Sequence, residues 1–168
     1  MEFAIGEIAM KKVSSLEPSI MIEGDNEFID ATNEALMLVR DLPTFHKVKP
    51  FLAIIKQGSR SEINVFTSQP TFSVGRQTWK GGCIWYGSCI IHDACHSKLY
   101  HQHRQRILGV SFTLPHHWTL KSGERACLRV QLQALREMPY DTEYFQEVIR
   151  QYLIDPTYFA TPYAKRDW

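Results

Sequence analysis

Apolar residues recur at helical spacing in several parts of the chain. After Asp25 or Asn26, either of which can cap a helix, an apolar stripe continues towards Pro43 and predicts an amphipathic helix of about four turns. The stripe comprises Phe28, Ile29, Thr32, Ala35, Leu36 and Val39. A second helix is predicted over 85–100, after the glycine pair at 81–82 breaks the chain.

Short apolar runs between these two helices predict two or three strands. The runs are 51–55, 63–67 and 71–79, and the last two partly alternate between apolar and polar residues. The stretch 43–50 is predicted to be a loop. Residues 1–24 are predicted to form a short strand or an arm that lies on the domain.

A glutamate lies on the apolar face of the next predicted helix. Ser122 is the candidate N-cap of this helix, which runs to about residue 136. One face of it carries Glu124, Leu128, Gln131 and Leu135. Glu124 therefore points the same way as two leucines that favour burial. Before this helix, 107–112 is a further β-like run and 115–118 is a predicted loop.

A last helix is predicted from Asp141 or Thr142 to about Leu153, and Pro156 ends it. Its apolar stripe comprises Tyr144, Phe145, Val148, Ile149, Tyr152 and Leu153. The aromatic tail to Trp168 is expected to pack back over the domain.

The composition indicates a globular protein with a substantial core. Of 168 residues, 44% are hydrophobic and 12% aromatic, which excludes a disordered or fibrous chain. We expect a single domain over 1–168, with an N-terminal arm at 1–24, a core at 25–136, and a C-terminal helix and tail at 137–168.

Charge and hydropathy limit the classes of partner that we expect for this protein. The formal net charge of +1 gives no electrostatic reason to expect a nucleic acid or an acidic membrane as a partner. We see no apolar run of signal-peptide or membrane-spanning length, and four cysteines are too few for a disulfide scaffold. We therefore expect a soluble cytoplasmic protein that binds neither nucleic acid nor membrane.

The second predicted helix carries a candidate metal-binding pair. His92 and His96 are four residues apart, so they lie on the same face one turn apart and can offer two nitrogens to one ion. With Asp93 between them, they match the zinc metallopeptidase motif H-E-x-x-H with aspartate in place of glutamate. Seven histidines give about 0.3 pairs of this spacing by chance, so the pair needs further support. His101 and His103 are expected to be solvated instead.

A catalytic zinc ion needs three protein ligands and an open position for water. Glu124, which follows His96 by 28 residues, is the best candidate for the third ligand. A glutamate in the first turn of a helix is also favoured by the helix dipole, without any metal.

The order of these parts resembles the minimal gluzincin arrangement of zinc metallopeptidases. The segments 92–96 and 122–127, together with Gln131, look like a little-characterised branch of that group, and the resemblance covers about 26–136. It implies an α+β, zincin-like fold: an N-terminal helix, a small mixed β-sheet, the metal-motif helix, the glutamate helix and a C-terminal helix. It also implies that the strand at 71–75 is the edge to which a peptide or protein substrate adds by backbone pairing.

The resemblance further implies a site and a reaction. His92, His96 and Glu124 would hold Zn2+, and Asp93 would be the general acid/base in hydrolysis of a peptide bond. Asp93 departs from the family pattern by one methylene, and proton transfer needs hydrogen-bond reach of about 2.6–3.2 Å. Metal binding is therefore better supported than turnover. Several side chains could stabilise an oxyanion, and the sequence does not choose among Tyr100, His103, His116, His117, Tyr140 and Tyr144.

Cysteines follow two of the proposed ligands by three positions each. If the two helices pack through their ligands, Cys95 and Cys127 face one another where the helices cross. Small buried residues at a helix crossing are the favoured interpretation, ahead of a redox or metal-binding role.

Two further interpretations stay open. One is a zinc-binding, zincin-like domain that has lost turnover, of which Asp93 would be the mark. The other is a calcium-dependent phospholipase A-like hydrolase, because Cys89, His92, Asp93 and Cys95 also resemble the active-site helix of that family. Its glycine-rich calcium loop would have to lie at 79–87, which is a poor match, and His96 would have no role.

Overall fold

A computed structural model describes residues 10–14, 17–107 and 121–160 of the chain. The described residues form an α+β structure, as predicted. The strands are β1 (Met10–Val13), β2 (Met21–Gly24), β3 (Ile54–Gln57), β4 (Glu62–Asn64) and β5 (Thr71–Val74). The helices are α1 (Asn26–Val39), α2 (Pro43–Val48), α3 (Arg76–Lys80), α4 (Cys83–Ile107), α5 (Lys121–Glu137), α6 (Glu143–Ile154) and α7 (Pro156–Ala160), with a 3₁₀ turn at Lys49–Phe51.

The five strands form one mixed sheet in the order β1-β2-β3-β5-β4. The central strands β2, β3 and β5 are parallel, and β1 and β4 are antiparallel to their neighbours. β5 has a hydrogen-bonded strand on each side, so the prediction that the strand at 71–75 is an edge is wrong. β4 is the edge strand next to it. The physical reason is that β3 pairs in parallel with one side of β5 and β4 pairs antiparallel with the other, an order that local sequence patterns do not reveal.

The first helix follows its sequence pattern closely. Asp25 is its N-cap, and the carboxylate Oδ1 accepts a hydrogen bond of 2.8 Å from the backbone N–H of Phe28. All six residues of the predicted apolar stripe are buried. The prediction for α1 is therefore confirmed, and of the two candidate caps the structure has Asp25.

Other element boundaries were predicted wrongly. The stretch 43–50 is helix α2 and the start of the 3₁₀ turn, because Pro43 occupies the first helical position, where its missing N–H costs nothing. β3 consequently begins at Ile54, three residues later than predicted. Residues 76–80 form helix α3 and do not extend β5.

The C-terminal elements also differ in detail. Ser122 lies within α5, which begins at Lys121, so the helix starts earlier than a cap at Ser122 would place it. α6 is close to the prediction, with Thr142 at its N-cap position. A further short helix, α7, follows Pro156 and was not predicted. The predicted loop at 115–118 and most of the run at 107–112 lie outside the described residues.

Helix α4 is the central element of the fold. Every residue from Tyr86 to Ser97 is buried, which is the pattern of a helix covered on all sides. α1 packs closely on one side of it, since a Cβ at Gly87 would stand 2.8 Å from Cγ1 of Val39. α5 packs on another side, and one buried apolar cluster extends from Ile20 to Tyr158.

A helix that crosses a bilayer must be both long and apolar. Among the described helices, α4 is the longest, at 25 residues, but it carries too many polar residues. Within the described part of the chain, no helix combines the length and the apolar character that a membrane span requires.

Candidate metal site

Helix α4 places two imidazoles together in the protein interior. His92 and His96 lie one turn apart, with exposed fractions of 7% and 5%, and their Nε2 atoms are 3.1 Å apart. Two imidazole nitrogens at this separation can share a proton or bind the same metal ion. The predicted pairing of these two histidines on one helix face is confirmed.

Helix α5 brings a carboxylate to the same point. Glu124 lies in its first turn and is 3% exposed; its Oε1 is 3.4 Å from Nε2 of His92, and its Oε2 is 3.3 Å from Nε2 of His96. Among the residues that the structure describes, His92, His96 and Glu124 are the one group of three whose ligand atoms converge, all within 4.8 Å. The cluster therefore combines residues 28 positions apart in the chain.

The spacing of these atoms fits a tetrahedral metal ion. Bonds of about 2.0–2.2 Å to histidine nitrogen and carboxylate oxygen place neighbouring ligand atoms about 3.3–3.6 Å apart at a tetrahedral centre. The two imidazole nitrogens are 3.1 Å apart, and each faces a different oxygen of Glu124, at 3.4 Å for His92 and 3.3 Å for His96, which is close to those edges. Two imidazoles and a carboxylate in this arrangement could hold one metal ion.

Burial and charge act in opposite directions on the two carboxyl groups of the site. Burial alone would raise the pKa of Glu124, but hydrogen bonds and the nearby charges of His92 and His96 outweigh it and hold this pKa well below its ordinary value. Burial raises the pKa of Asp93 to about 6, opposed by the two histidines and reinforced by Glu124. Glu124 therefore remains a carboxylate, as a metal ligand requires.

A tyrosine from the C-terminal end of the described chain contacts the cluster. The hydroxyl of Tyr158, on α7, donates a hydrogen bond of 3.1 Å to Oε1 of Glu124, and Tyr158 is 8% exposed. Beside His92 there is a cavity of about 10 Å³, which is roughly the space of one water molecule. Its walls come from four helices, α4 to α7, and comprise Trp85, Cys89, His92, Leu128, Gln131, Ile149, Tyr152 and Tyr158.

Hydrogen bonds beside the cluster fix the crossing of α4 and α5. Nε2 of Gln131 donates to Oγ of Ser88 at 3.0 Å and lies 3.7 Å from Sγ of Cys89. Gln131 shares its helix face with Glu124, as the sequence predicted, so this amide helps to hold the glutamate opposite the histidines. By contrast, Nδ1 of His92 is buried and has no hydrogen-bond partner among the described residues.

The other candidate side chains lie outside the cluster. His101 is stacked on Phe51, and Tyr100 packs against Phe66. Tyr140 and Tyr144 are exposed, and His103 belongs to no group of converging ligands in the described chain. His116 and His117 lie outside the described residues. Tyr158, which does reach the site, was missed because nothing in the sequence after Pro156 links it to a glutamate 34 positions earlier.

Two thiols meet where α4 and α5 cross, as predicted. Cys95 and Cys127 are buried, and the hydrogen bond from Cys127 lowers the pKa of Cys95 to about 7, whereas burial raises the pKa of Cys127. Both cysteines are free thiols. This contact shows that the helices pack through the faces that carry His92 and Glu124.

Comparison with known proteins adds no family to this description. Neither protein-family models nor curated proteins match the sequence, and no solved structure matches the fold. The function must therefore be argued from the geometry of the site.

Proposed function

We propose that this protein is a zinc-dependent hydrolase of peptide bonds with a zincin-like fold. His92, His96 and Glu124 are its zinc ligands, and Asp93 is its general acid/base. The proposal depends on one observation above all, the convergence of two buried imidazoles and one buried carboxylate, in which the Nε2 atoms are 3.1 Å apart and each lies 3.3–3.4 Å from a different oxygen of Glu124.

The donor set favours zinc. Two histidines and one glutamate are the protein ligands of a well-known class of catalytic zinc sites, in which the fourth position stays open for water. Calcium and magnesium prefer six or more oxygen ligands, which this site does not offer. The cavity of about 10 Å³ beside His92 has room for one water, and of the three proposed ligands only His92 lines it.

In the proposed hydrolysis, the zinc ion and the side chains of the protein have different roles. Bound zinc supplies a Lewis acid for the scissile carbonyl and lowers the pKa of water towards about 7. Asp93, which immediately follows His92 on α4 and is buried with the ligands, accepts a proton and returns it to the leaving amine. Glu124 holds α5 against α4 and offsets part of the charge of the ion.

The sheet offers a place for the substrate backbone. β4 pairs only with β5 among the described strands, so its outer edge is available for an added strand. Phe66, two residues after β4, contacts Tyr100 of α4, which connects this edge to the helix that carries the histidines. We therefore assign peptide docking to β4 instead of the strand at 71–75.

A zinc-binding domain without turnover is the second candidate. It is favoured by the near-complete burial of all three ligands, by a cavity too small for a peptide and by the shorter reach of Asp93. The phospholipase alternative has less support. The segment 79–87, where its calcium loop would lie, belongs mostly to α3 and α4, and His96 and Glu124 converge on His92 without a role in that mechanism.

Elemental analysis of the protein purified without a histidine tag tests the metal site. We expect close to one zinc per chain in the wild type and little or none in His92→Ala and Glu124→Gln. His101→Ala is the matched control, because this histidine lies on the same helix outside the cluster and its loss leaves the zinc content unchanged. Full zinc content in Glu124→Gln would remove this glutamate from the ligand set.

Hydrolysis of an unfolded protein substrate separates the two candidates. The hydrolase predicts zinc-dependent cleavage that falls by about 10²–10⁴-fold in Asp93→Asn while zinc stays bound. No cleavage by the zinc-loaded protein would favour the domain without turnover, and equal rates of cleavage in Asp93→Asn and wild type would remove Asp93 from its role as general acid/base. Fatty-acid release that depends on calcium would instead support the phospholipase alternative.

A further inference from the structure

Tyr158 is the one described residue outside α4 and α5 whose side chain bonds directly to a proposed metal ligand. It lies on α7, a helix of five residues that follows α6 after Pro156. Its ring stacks on Tyr152 of α6 with a centroid separation of 4.5 Å, and its hydroxyl donates to Oε1 of Glu124. No sequence motif indicates a function for Tyr158.

The hydrogen bond is compatible with metal binding by the same carboxylate. An ionised carboxylate has about four lone-pair sites, so Glu124 can accept from a tyrosine and still face both imidazoles. Outer hydrogen bonds to ligating carboxylates are common in metal sites, where they fix the orientation of the ligand. Because Glu124 is 3% exposed, water has little access to replace the tyrosine hydroxyl.

We infer that Tyr158 is a positioning residue for Glu124 and that it couples the docking of α7 to occupation of the metal site. This inference rests on the proposed zinc site. With the hydroxyl in place, Oε1 is held in one direction and Oε2 stays turned towards His96. Without it, the carboxylate rotates more freely and a buried oxygen loses a partner.

Coupling of this kind is reciprocal. If the docked α7 raises zinc affinity by some factor, zinc must favour the docked α7 by the same factor. Zinc should therefore slow amide hydrogen exchange in residues 157–160, although none of these residues is a proposed ligand. The connection runs through the hydrogen bond between Tyr158 and Glu124.

Zinc affinity, measured by competition with a chromogenic chelator, tests the positioning role. We expect Tyr158→Phe, which removes only the hydroxyl, to weaken zinc binding by about 10–100-fold. Tyr152→Phe is the matched control, since it removes a hydroxyl from the ring stacked on Tyr158 and should leave the affinity within about twofold. Equal affinities in wild type and Tyr158→Phe would overturn the inference.

Hydrogen exchange of the wild type with and without zinc tests the coupling even if a variant folds poorly. We expect slower exchange at 157–160 with zinc in the wild type and in Tyr152→Phe, and a smaller change in Tyr158→Phe. Zinc binding with no change in exchange there would overturn the coupling alone. A wild type that binds no zinc would overturn the proposed function, and this inference with it.

Discussion

Helix α4 takes part in two groups of buried polar side chains, and the two groups differ in how their polar atoms find partners. Near its start, the hydroxyls of Tyr86 and Thr32 of α1 lie 2.8 Å apart, and Thr32 also bonds to the carbonyl of Phe28 at 2.7 Å. Two turns later, His92 and His96 meet Glu124 of α5. The first group satisfies itself, because each hydroxyl can both donate and accept.

The second group is different because its members can also act as metal ligands. A neutral imidazole has one donating and one accepting nitrogen, and an ionised carboxylate only accepts, so the two Nε2 atoms and the two oxygens of Glu124 can share protons or hold a cation. The comparison teaches that burial of polar residues is not in itself a sign of function. A stronger indication of function is a buried group whose side chains could together hold a metal ion.

The largest expected effect is on the free energy of unfolding, in a variant that changes packing and leaves the proposed metal ligands in place. Leu128, on the same face of α5 as Glu124, is 1% exposed and lines the cavity beside His92. Leu128→Ala should lower the free energy of unfolding by about 2–5 kcal/mol, because it removes buried methyl groups and leaves a cavity. Chemical denaturation measures this loss. Zinc content should stay near one per chain, and its disappearance from the folded variant would show that packing and metal binding are not separable here.

Addition of zinc to the metal-free protein should raise its stability through the group of His92, His96 and Glu124 only. At free zinc a hundredfold above its dissociation constant, binding to the folded state stabilises it by about 2.7 kcal/mol. Thermal unfolding with and without zinc should therefore show a shift in wild type and in Tyr86→Phe, and no shift in Glu124→Gln. A shift of equal size in Glu124→Gln would place the zinc elsewhere.

The smallest expected effect concerns the first group. Tyr86→Phe should cost about 1 kcal/mol of stability, because one buried hydrogen bond is lost while Thr32 keeps its bond to Phe28. The double variant Tyr86→Phe, Thr32→Val should cost less than the sum of the two single variants, since both partners become apolar together. Denaturant unfolding of the four proteins checks this, and strict additivity would contradict the description of a self-satisfied pair.

Local patterns predicted the parts of the fold that depend on local interactions. The sequence predicts helix α1 with its cap at Asp25 or Asn26, because capping and a single buried face are encoded within a few residues. The pairing of His92 with His96 follows from helical geometry alone. The burial of Glu124 was predicted from the leucines that share its face.

Contacts between distant residues were harder to predict. The sequence predicts a loop where the structure has helix α2, because a proline such as Pro43 is common both in turns and at the first position of a helix. The position of β5 inside the sheet depends on parallel pairing with β3, which no local pattern encodes. The bond from Tyr158 to Glu124 depends on where α7 packs, and a tyrosine in an aromatic tail gives no hint of that.

Anomalous scattering from crystals of the untagged, zinc-loaded protein, recorded above and below the zinc absorption edge, tests the central claim most directly. We predict one strong peak about 2.0–2.2 Å from Nε2 of His92, Nε2 of His96 and a carboxylate oxygen of Glu124. A well-ordered structure in which these three side chains bond only to one another, with zinc at another place or absent, would contradict the account.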